Sequence, residues 1–196
     1  MAGYIGSKAV LLSTTAAEVS GDADIGGSVL VDTIKSDSGT TAMTIDSSGR
    51  ILFPAQVRWQ ARGSNNAYVT TANIPLPTVD INIGSAYNNS TYKMTAPITG
   101  AYLCFVALYM RVDANGEAAE CMFHKNDTQQ NSLSRLNAHV DDLNTNGKWE
   151  GQSSMSQIID LSSGDTLHVE FNSAGSGSAD YYNGAAYSCF GGYLLG

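Results

Sequence analysis

The stretch that most restricts the fold is "KMTAPITGAYLCFVALYMRV", Lys93 to Val112. Pro97 and Gly100 bracket a corner. Beyond it Tyr102, Cys104, Val106, Leu108 and Met110 fall on one face of a strand, and Leu103, Phe105, Ala107 and Tyr109 fall on the other. Both faces are apolar. In an antiparallel sandwich such a strand is covered on both sides, by the chain's own second sheet and by a further body, read here as another subunit. The closing segment "CFGGYLLG" makes the same demand. Phe190, Tyr193, Leu194 and Leu195 make an apolar strand in need of burial, and Gly191 and Gly192 let a neighbouring backbone come close.

From about Ala55 onward the remaining apolar residues also come in strand-length bursts: "AECMFHKN", "SQIIDL", "DTLHVEF" and "YSCFGGYLL", separated by Asn, Gly and Asp. One segment, "LSRLNAHVDDLN", spaces Leu133, Leu136, Val140 and Leu143 in a way that fits either a short helix or a strand and loop. With 20 glycines and only 14% charged residues, the composition favours turns and strands over helices. The expectation is an all-β chain with a single cored domain over residues 55–196.

Residues 1–54 have a different texture. No aromatic occurs between Tyr4 and Phe53, and the apolar residues are cut into pieces too short to bury a core. "GGSVLVDTIKSD" and "GTTAMTIDSSGRILF" carry alternating apolar positions (Val29, Val31 and Ile34; Met43, Ile45, Ile51 and Phe53) broken by turn residues, which predicts short strands joined by tight turns. A strand-rich segment this thin is expected to lean on copies of itself or on a larger assembly. The apolar residues nearest its start, Tyr4, Ile5, Val10, Leu11 and Leu12, are the candidate anchor.

Several function classes are disfavoured. The formal net charge is -8, the sequence pI is about 4.6, and Lys and Arg are scattered singly, which leaves no basic stripe for nucleic acid. No apolar run is long enough to span a bilayer and nothing near Met1 resembles a secretory signal, so a soluble protein made in a cytoplasm is expected. Cys104, Cys121 and Cys189 are odd in number and lack metal-ligand spacing, which favours free buried thiols. His124 lies in a strand before "KND", His139 in a polar segment read as a loop, and His168 alternates between Leu167 and Val169. None falls in a nucleophile elbow, an HExxH pattern or a P-loop, so no catalytic residue, metal ligand or cofactor is assigned. "DANGE" (Asp113 to Glu117) and the pair Asp141 and Asp142 fall short of a Ca²⁺ loop. Aromatic residues among turn residues are the better recognition candidates, namely Trp149 in "NGKWEGQ" and Tyr181 and Tyr182 in "SGSADYYNGAAY".

The run Asn82, Gly84, Tyr87, Thr95, Ala96, Pro97, Gly100 and Tyr102 resembles the signature of the complement C1q globular-head family, whose jelly roll is shared with tumour necrosis factor. "FHKN", "SQIIDLSSGDTLHVEF" and "SCFGGYLL" resemble three further blocks of that family in the same order. Two departures stand out: Cys104 where an aromatic is usual, and Asp127 where a glycine often follows the lysine-asparagine pair. The resemblance implies a ten-stranded sandwich that closes as a three-fold homotrimer with the C-terminal strand near the axis. Tyr102, Cys104, Val106, Phe190, Tyr193 and Leu195 are the candidate trimer interface. The opening "MAGYIGSKAVLLSTTAAEVSGDADIGGSVLVDTI" and the "TIDSSGR" that follows resemble the starts of tail-fibre and other virion proteins of marine bacteriophages.

Together these readings predict a non-enzymatic trimeric protein on a phage surface. Its N-terminus would dock on capsid or tail proteins and its knob would meet a host glycan or protein, with neither nucleic acid nor membrane insertion involved. A capsid decoration protein that stabilises the head is the alternative. A polysaccharide-degrading fibre tip, which needs paired carboxylates about 5–9.5 Å apart across a groove, ranks below both because it would normally also need a longer β-helical body.

Overall fold

The computed structural model describes residues 30–36, 38–113, 117–129, 135–140, 149–174 and 179–196. The chain divides into two units at Asp32/Thr33, and the first of these lies almost wholly outside the described residues. The proposed anchor residues Tyr4, Ile5, Val10, Leu11 and Leu12 lie outside them too.

The second unit begins with three short antiparallel strands, β1 (Thr33–Lys35), β2 (Thr41–Ile45) and β3 (Ile51–Leu52), paired in that order. Gly39 and Gly49 take the positive φ that their tight turns need (83° and 76°). In the second turn the Asp46 carboxylate accepts from the Ser48 and Arg50 backbone N–H groups at 2.9 and 3.0 Å, which is why "TIDSSGR" turns where it does. Ile34, Ile51, Leu52 and Phe53 remain exposed. None of the described residues of these three strands is buried.

The remaining strands build a sandwich: β4 (Arg58–Arg62), β5 (Tyr68–Val69), β6 (Thr78–Ile83), β7 (Tyr87–Asn88), β8 (Lys93–Thr95), β9 (Gly100–Val112), β10 (Glu117–Lys125), β11 (Thr128–Gln129), β12 (Arg135–Val140), β13 (Trp149–Leu161), β14 (Thr166–Ala174), β15 (Ala179–Tyr182) and β16 (Cys189–Leu194). A six-stranded sheet runs β11-β10-β14-β8-β7 with β12 added against β10, and a seven-stranded sheet runs β5-β15-β9-β16-β4-β6 with β13 against β9. The described residues contain no helix. The "RLNAHV" segment is therefore a strand, and His139 pairs with Ala118 in a sheet instead of standing in a loop.

The core lies between the two sheets. Tyr102, Cys104, Val106, Leu108 and Met110 point into it from β9, and Phe123, Leu167 and Val169 face them from the other sheet. Phe190 is the joint, with its ring centroid 5.7 Å from Trp59, 6.3 Å from Tyr87 and 6.1 Å from Phe123. The glycines of β16 permit the close approach expected of them. A Cβ at Gly192 would sit 2.5 Å from the Leu103 carbonyl oxygen, and one at Gly191 would sit 2.7 Å from that of Trp59.

The motif between β6 and β8 has a local explanation. The Asn82 side chain clasps Tyr87 twice, donating to its carbonyl and accepting from its N–H at 2.9 Å each. Gly84 supplies the positive φ in between (84°). Tyr87 then donates its hydroxyl to the Leu76 carbonyl at 3.0 Å, and Tyr102 donates to Ile98 across the Pro97 corner at 2.7 Å. Each buried phenol is thereby satisfied.

Candidate functional site

Strand alternation decides which side chains of the seven-stranded sheet look outward. On β9 these are Leu103, Phe105, Ala107, Tyr109 and Arg111, which are partly exposed, while their even-numbered neighbours are fully buried. The register brings Ile158 and Tyr193 beside Leu103 from the flanking strands β13 and β16. Ile158 is 59% exposed and Tyr193 42%. Gly191 stands beside Phe105, and Ile81 follows on the same row beyond Gln60. One end of this face is thus an open apolar surface, with Leu195 also exposed nearby in sequence.

The other end of the same face is aromatic. Tyr109, Tyr182 and Tyr68 follow one another across β9, β15 and β5 in register. Tyr187 joins them from the loop before β16. The rings meet edge to face in a chain: Tyr68 to Tyr182 at 5.1 Å, Tyr182 to Tyr187 at 5.1 Å and Tyr187 to Tyr109 at 5.5 Å. Together the four line a cleft of about 320 Å³. At its margin the Arg111 guanidinium lies 3.6 Å from the Tyr68 ring centre and is held there by its ion pair with Asp180. Tyr109 donates its hydroxyl to Glu150 at 3.2 Å. Burial, followed by the Glu150 carboxylate, pushes the Tyr68 phenol up to about 12. The cleft offers apolar ring faces edged by phenol hydroxyls. That chemistry suits stacking and hydrogen bonding to a sugar or to a protein side chain.

The residues singled out from the sequence divide by parity. Tyr193 and Leu195 lie on the surface as an interface would need, but Tyr102, Cys104, Val106 and Phe190 are fully buried inside one chain's own sandwich. They cannot meet a neighbour. Both faces of β9 are apolar, so the sequence carries no signal for which of them faces in, and the residues available outward are Leu103 and Phe105.

The aromatic candidates divide similarly. Tyr182 lines the cleft. Tyr181, next to it on β15, points inward, is 0% exposed and is hydrogen bonded to Thr71 at 2.8 Å. Trp149 is half-buried and packed against the core, so these three form no common rim. Sequence reasoning passed over Tyr68, Tyr109 and Tyr187. Tyr109 stood on the second apolar face of β9, which nothing local marked as outward, and Tyr187 belongs to the same "YYNGAAY" run that supplied Tyr181 and Tyr182.

The cysteines are free, with Cys104 and Cys121 buried. Burial alone pushes the Cys104 thiol up to about 12, as an inert core thiol requires.

Comparison with known proteins agrees with this architecture. A search of curated proteins finds no match. Among solved structures the chain is similar to an Eiger TNF from S. frugiperda (TM-score 0.54, 13% identity, 72% of this chain and 94% of that one). It is also similar to murine APRIL at pH 5.0 (TM-score 0.52, 12% identity, 71% of this chain and 99% of that one). At these identities the likeness concerns the fold. The family model described as "C1q domain" matches residues 58–195, which is most of the chain and begins at the first strand of the sandwich. The chain belongs to the C1q domain family.

Proposed function

We propose that this protein is a non-enzymatic homotrimeric binding module on the surface of a bacteriophage. In this reading the N-terminal region docks on capsid or tail proteins and the C1q domain is displayed outward. The observation that carries the proposal is the uncovered apolar end of the seven-stranded sheet, where Leu103, Ile158 and Tyr193 adjoin. Members of this family are typically binding domains that assemble in threes, and an open apolar sheet face is what such assembly would cover. The four-tyrosine cleft at the other end is then the contact for a host glycan or protein, and three copies would let individually weak contacts add by avidity. The phage setting rests on the resemblance of the first residues, through "GDADIGG" and "TIDSSGR", to virion proteins.

Two measurements test this. Sedimentation of the purified chain should give a trimer, and a stable monomer at micromolar concentration would refute the assembly. Labelling the chain on intact particles should place it on the surface with the C1q domain outward. Particles lacking it should adsorb poorly to cells. Particles that adsorb normally but lose heat or salt resistance would instead make it a decoration protein.

A further inference from the structure

The opposite side of the molecule holds a second constellation. On the face of the six-stranded sheet that points away from the core, His124 of β10 and His168 of β14 stand directly across from each other, with ring centroids 5.4 Å apart. Glu170, two residues beyond His168 on the same face, reaches both. One carboxylate oxygen lies 2.9 Å from His168 Nε2 and the other 3.5 Å from His124 Nε2. One ligand atom from each of the three residues lies within 4.8 Å of the others.

Internal hydrogen bonding leaves this cluster short of partners. His168 is only 1% exposed, and its Nδ1 has no hydrogen-bond partner. Both ring nitrogens of His124 are likewise buried without one. Buried polar atoms are nearly always paired, and an imidazole with both nitrogens unpaired, set beside a second imidazole and a carboxylate, calls for a further group inside the cluster. Within the cluster Glu170 already meets His168 Nε2, so the nitrogen left over is His124 Nε2, 3.5 Å from the other Glu170 oxygen, and a cation held among the three residues would take up its lone pair. A tetrahedral ion with bonds of about 2.0–2.2 Å to nitrogen and oxygen sets its ligand atoms about 3.4 Å apart, close to the 3.5 Å between His124 Nε2 and its nearer Glu170 oxygen.

We infer that His124, His168 and Glu170 form a binding site for a divalent transition cation of the zinc class, with a fourth position left for water or a partner's ligand. Two imidazoles and one carboxylate favour such ions over Ca²⁺ or Mg²⁺, which prefer all-oxygen shells. Asp127 supplies the outer support. Its carboxylate lies 3.9 Å from His168 Nδ1, on the side of the ring away from Glu170, and is ion-paired with Lys93. That distance fits a contact through water and would fix the ring so that Nε2 carries the free lone pair. Asp127 also occupies a positive-φ turn position (60°), next to Asn126 in the same turn (51°). Aspartate is among the few non-glycine residues that tolerate this backbone, and the turn aims its carboxylate toward His168. Met122, buried and opposite Glu170 in the register, contributes apolar cover to the site. Bound there, the ion would fasten β10 to β14 in the middle of the sheet.

The test is calorimetric titration of the full chain, without an affinity tag, with Zn²⁺. The expected result is one ion per chain with micromolar or tighter affinity, no competition from millimolar Mg²⁺ or Ca²⁺, and a rise in Tm with added zinc. His124→Gln and Glu170→Gln should each weaken binding at least tenfold. Circular dichroism would check that both variants fold. Co²⁺ provides a measurement on the unaltered chain: its absorption should be that of a nitrogen and oxygen site, without thiolate charge-transfer bands. Absence of saturable zinc binding, undiminished binding in the His124→Gln, Glu170→Gln double variant, or a cobalt-thiolate spectrum would each overturn the site.

Discussion

The two outward faces of this sandwich differ in what they leave unfinished. On the seven-stranded sheet, Leu103, Ile158 and Tyr193 present apolar surface that water covers poorly. On the six-stranded sheet, the corresponding surface carries His124, His168 and Glu170, together with Glu120, whose carboxylate accepts from Asn172 at 3.1 Å. An apolar face is completed by another apolar face and is indifferent to its exact partner. A polar buried face is completed only by groups of matching geometry. One fold can therefore assemble through one side and bind an ion or keep to itself on the other, and the division follows from which parity of each strand is polar.

The largest effect should come from the joint between the sheets, which both faces depend on. Phe190→Ala removes a ring that touches Trp59, Tyr87 and Phe123. It is expected to lower stability by about 3–5 kcal/mol, measured by denaturant unfolding. If Phe190 instead lay between subunits, the loss would appear as dissociation with an intact fold.

Next comes the apolar face. Each Leu or Ile buried there is worth about 1.5–3 kcal/mol, and placing a charge against a dry contact adds to the loss. The Leu103→Asp, Ile158→Asp double variant should sediment as a folded monomer. A trimer that survives both changes would mean that this face is not the interface. Tyr187→Ala is a smaller perturbation of the aromatic end. With Tyr187 43% exposed, the fold and the trimer should persist while adsorption to cells weakens by about 1–3 kcal/mol. Dissociation on this change would extend the interface over the cleft and remove it as a host contact.

Much of this architecture was legible in the chain. The alternation in "AYLCFVALYM" announced a strand with two apolar faces, one of which lines the core, and Asn82, Gly84 and Tyr87 carried the resemblance to the family whose fold the chain adopts. Gly191 and Gly192 announced a close approach, because only a missing Cβ admits the carbonyls of Trp59 and Leu103. What stayed hidden had one cause, that pairing between distant strands is set by register. When two faces of β9 are equally apolar, nothing local tells Tyr102 from Leu103, so the inward residues were assigned to the interface. His124 and His168 each look like an ordinary strand histidine. They become a pair only when β10 and β14 align, and the one local hint was Asp127 standing where a glycine is more usual.

The gentlest test concerns the turn that holds β10 and β14 in register beside the histidines. Asp165 accepts from Asn126 Nδ2 at 2.8 Å and from the Ser162 N–H at 2.8 Å, and pairs with Lys125 at 2.9 Å. The Asn126 and Lys125 contacts are the chief reasons its carboxyl is held down to about 2. A folded-state value below the unfolded one, about 3.9, means the unfolded chain binds the proton more readily. Stability from this group is therefore fully present above the unfolded value and is lost as pH falls toward 2. Asp165→Asn should lower Tm slightly at pH 7, and the gap from the unaltered protein should close as the pH is taken down through that window. Because the carboxylate sits in a surface turn with its Lys125 partner partly exposed, screening keeps the effect small, and added salt should shrink it further. A Tm difference that stays constant from pH 7 to pH 2 would show that the side chain acts through shape alone, and that the register of the histidine strands does not depend on the Asp165 charge.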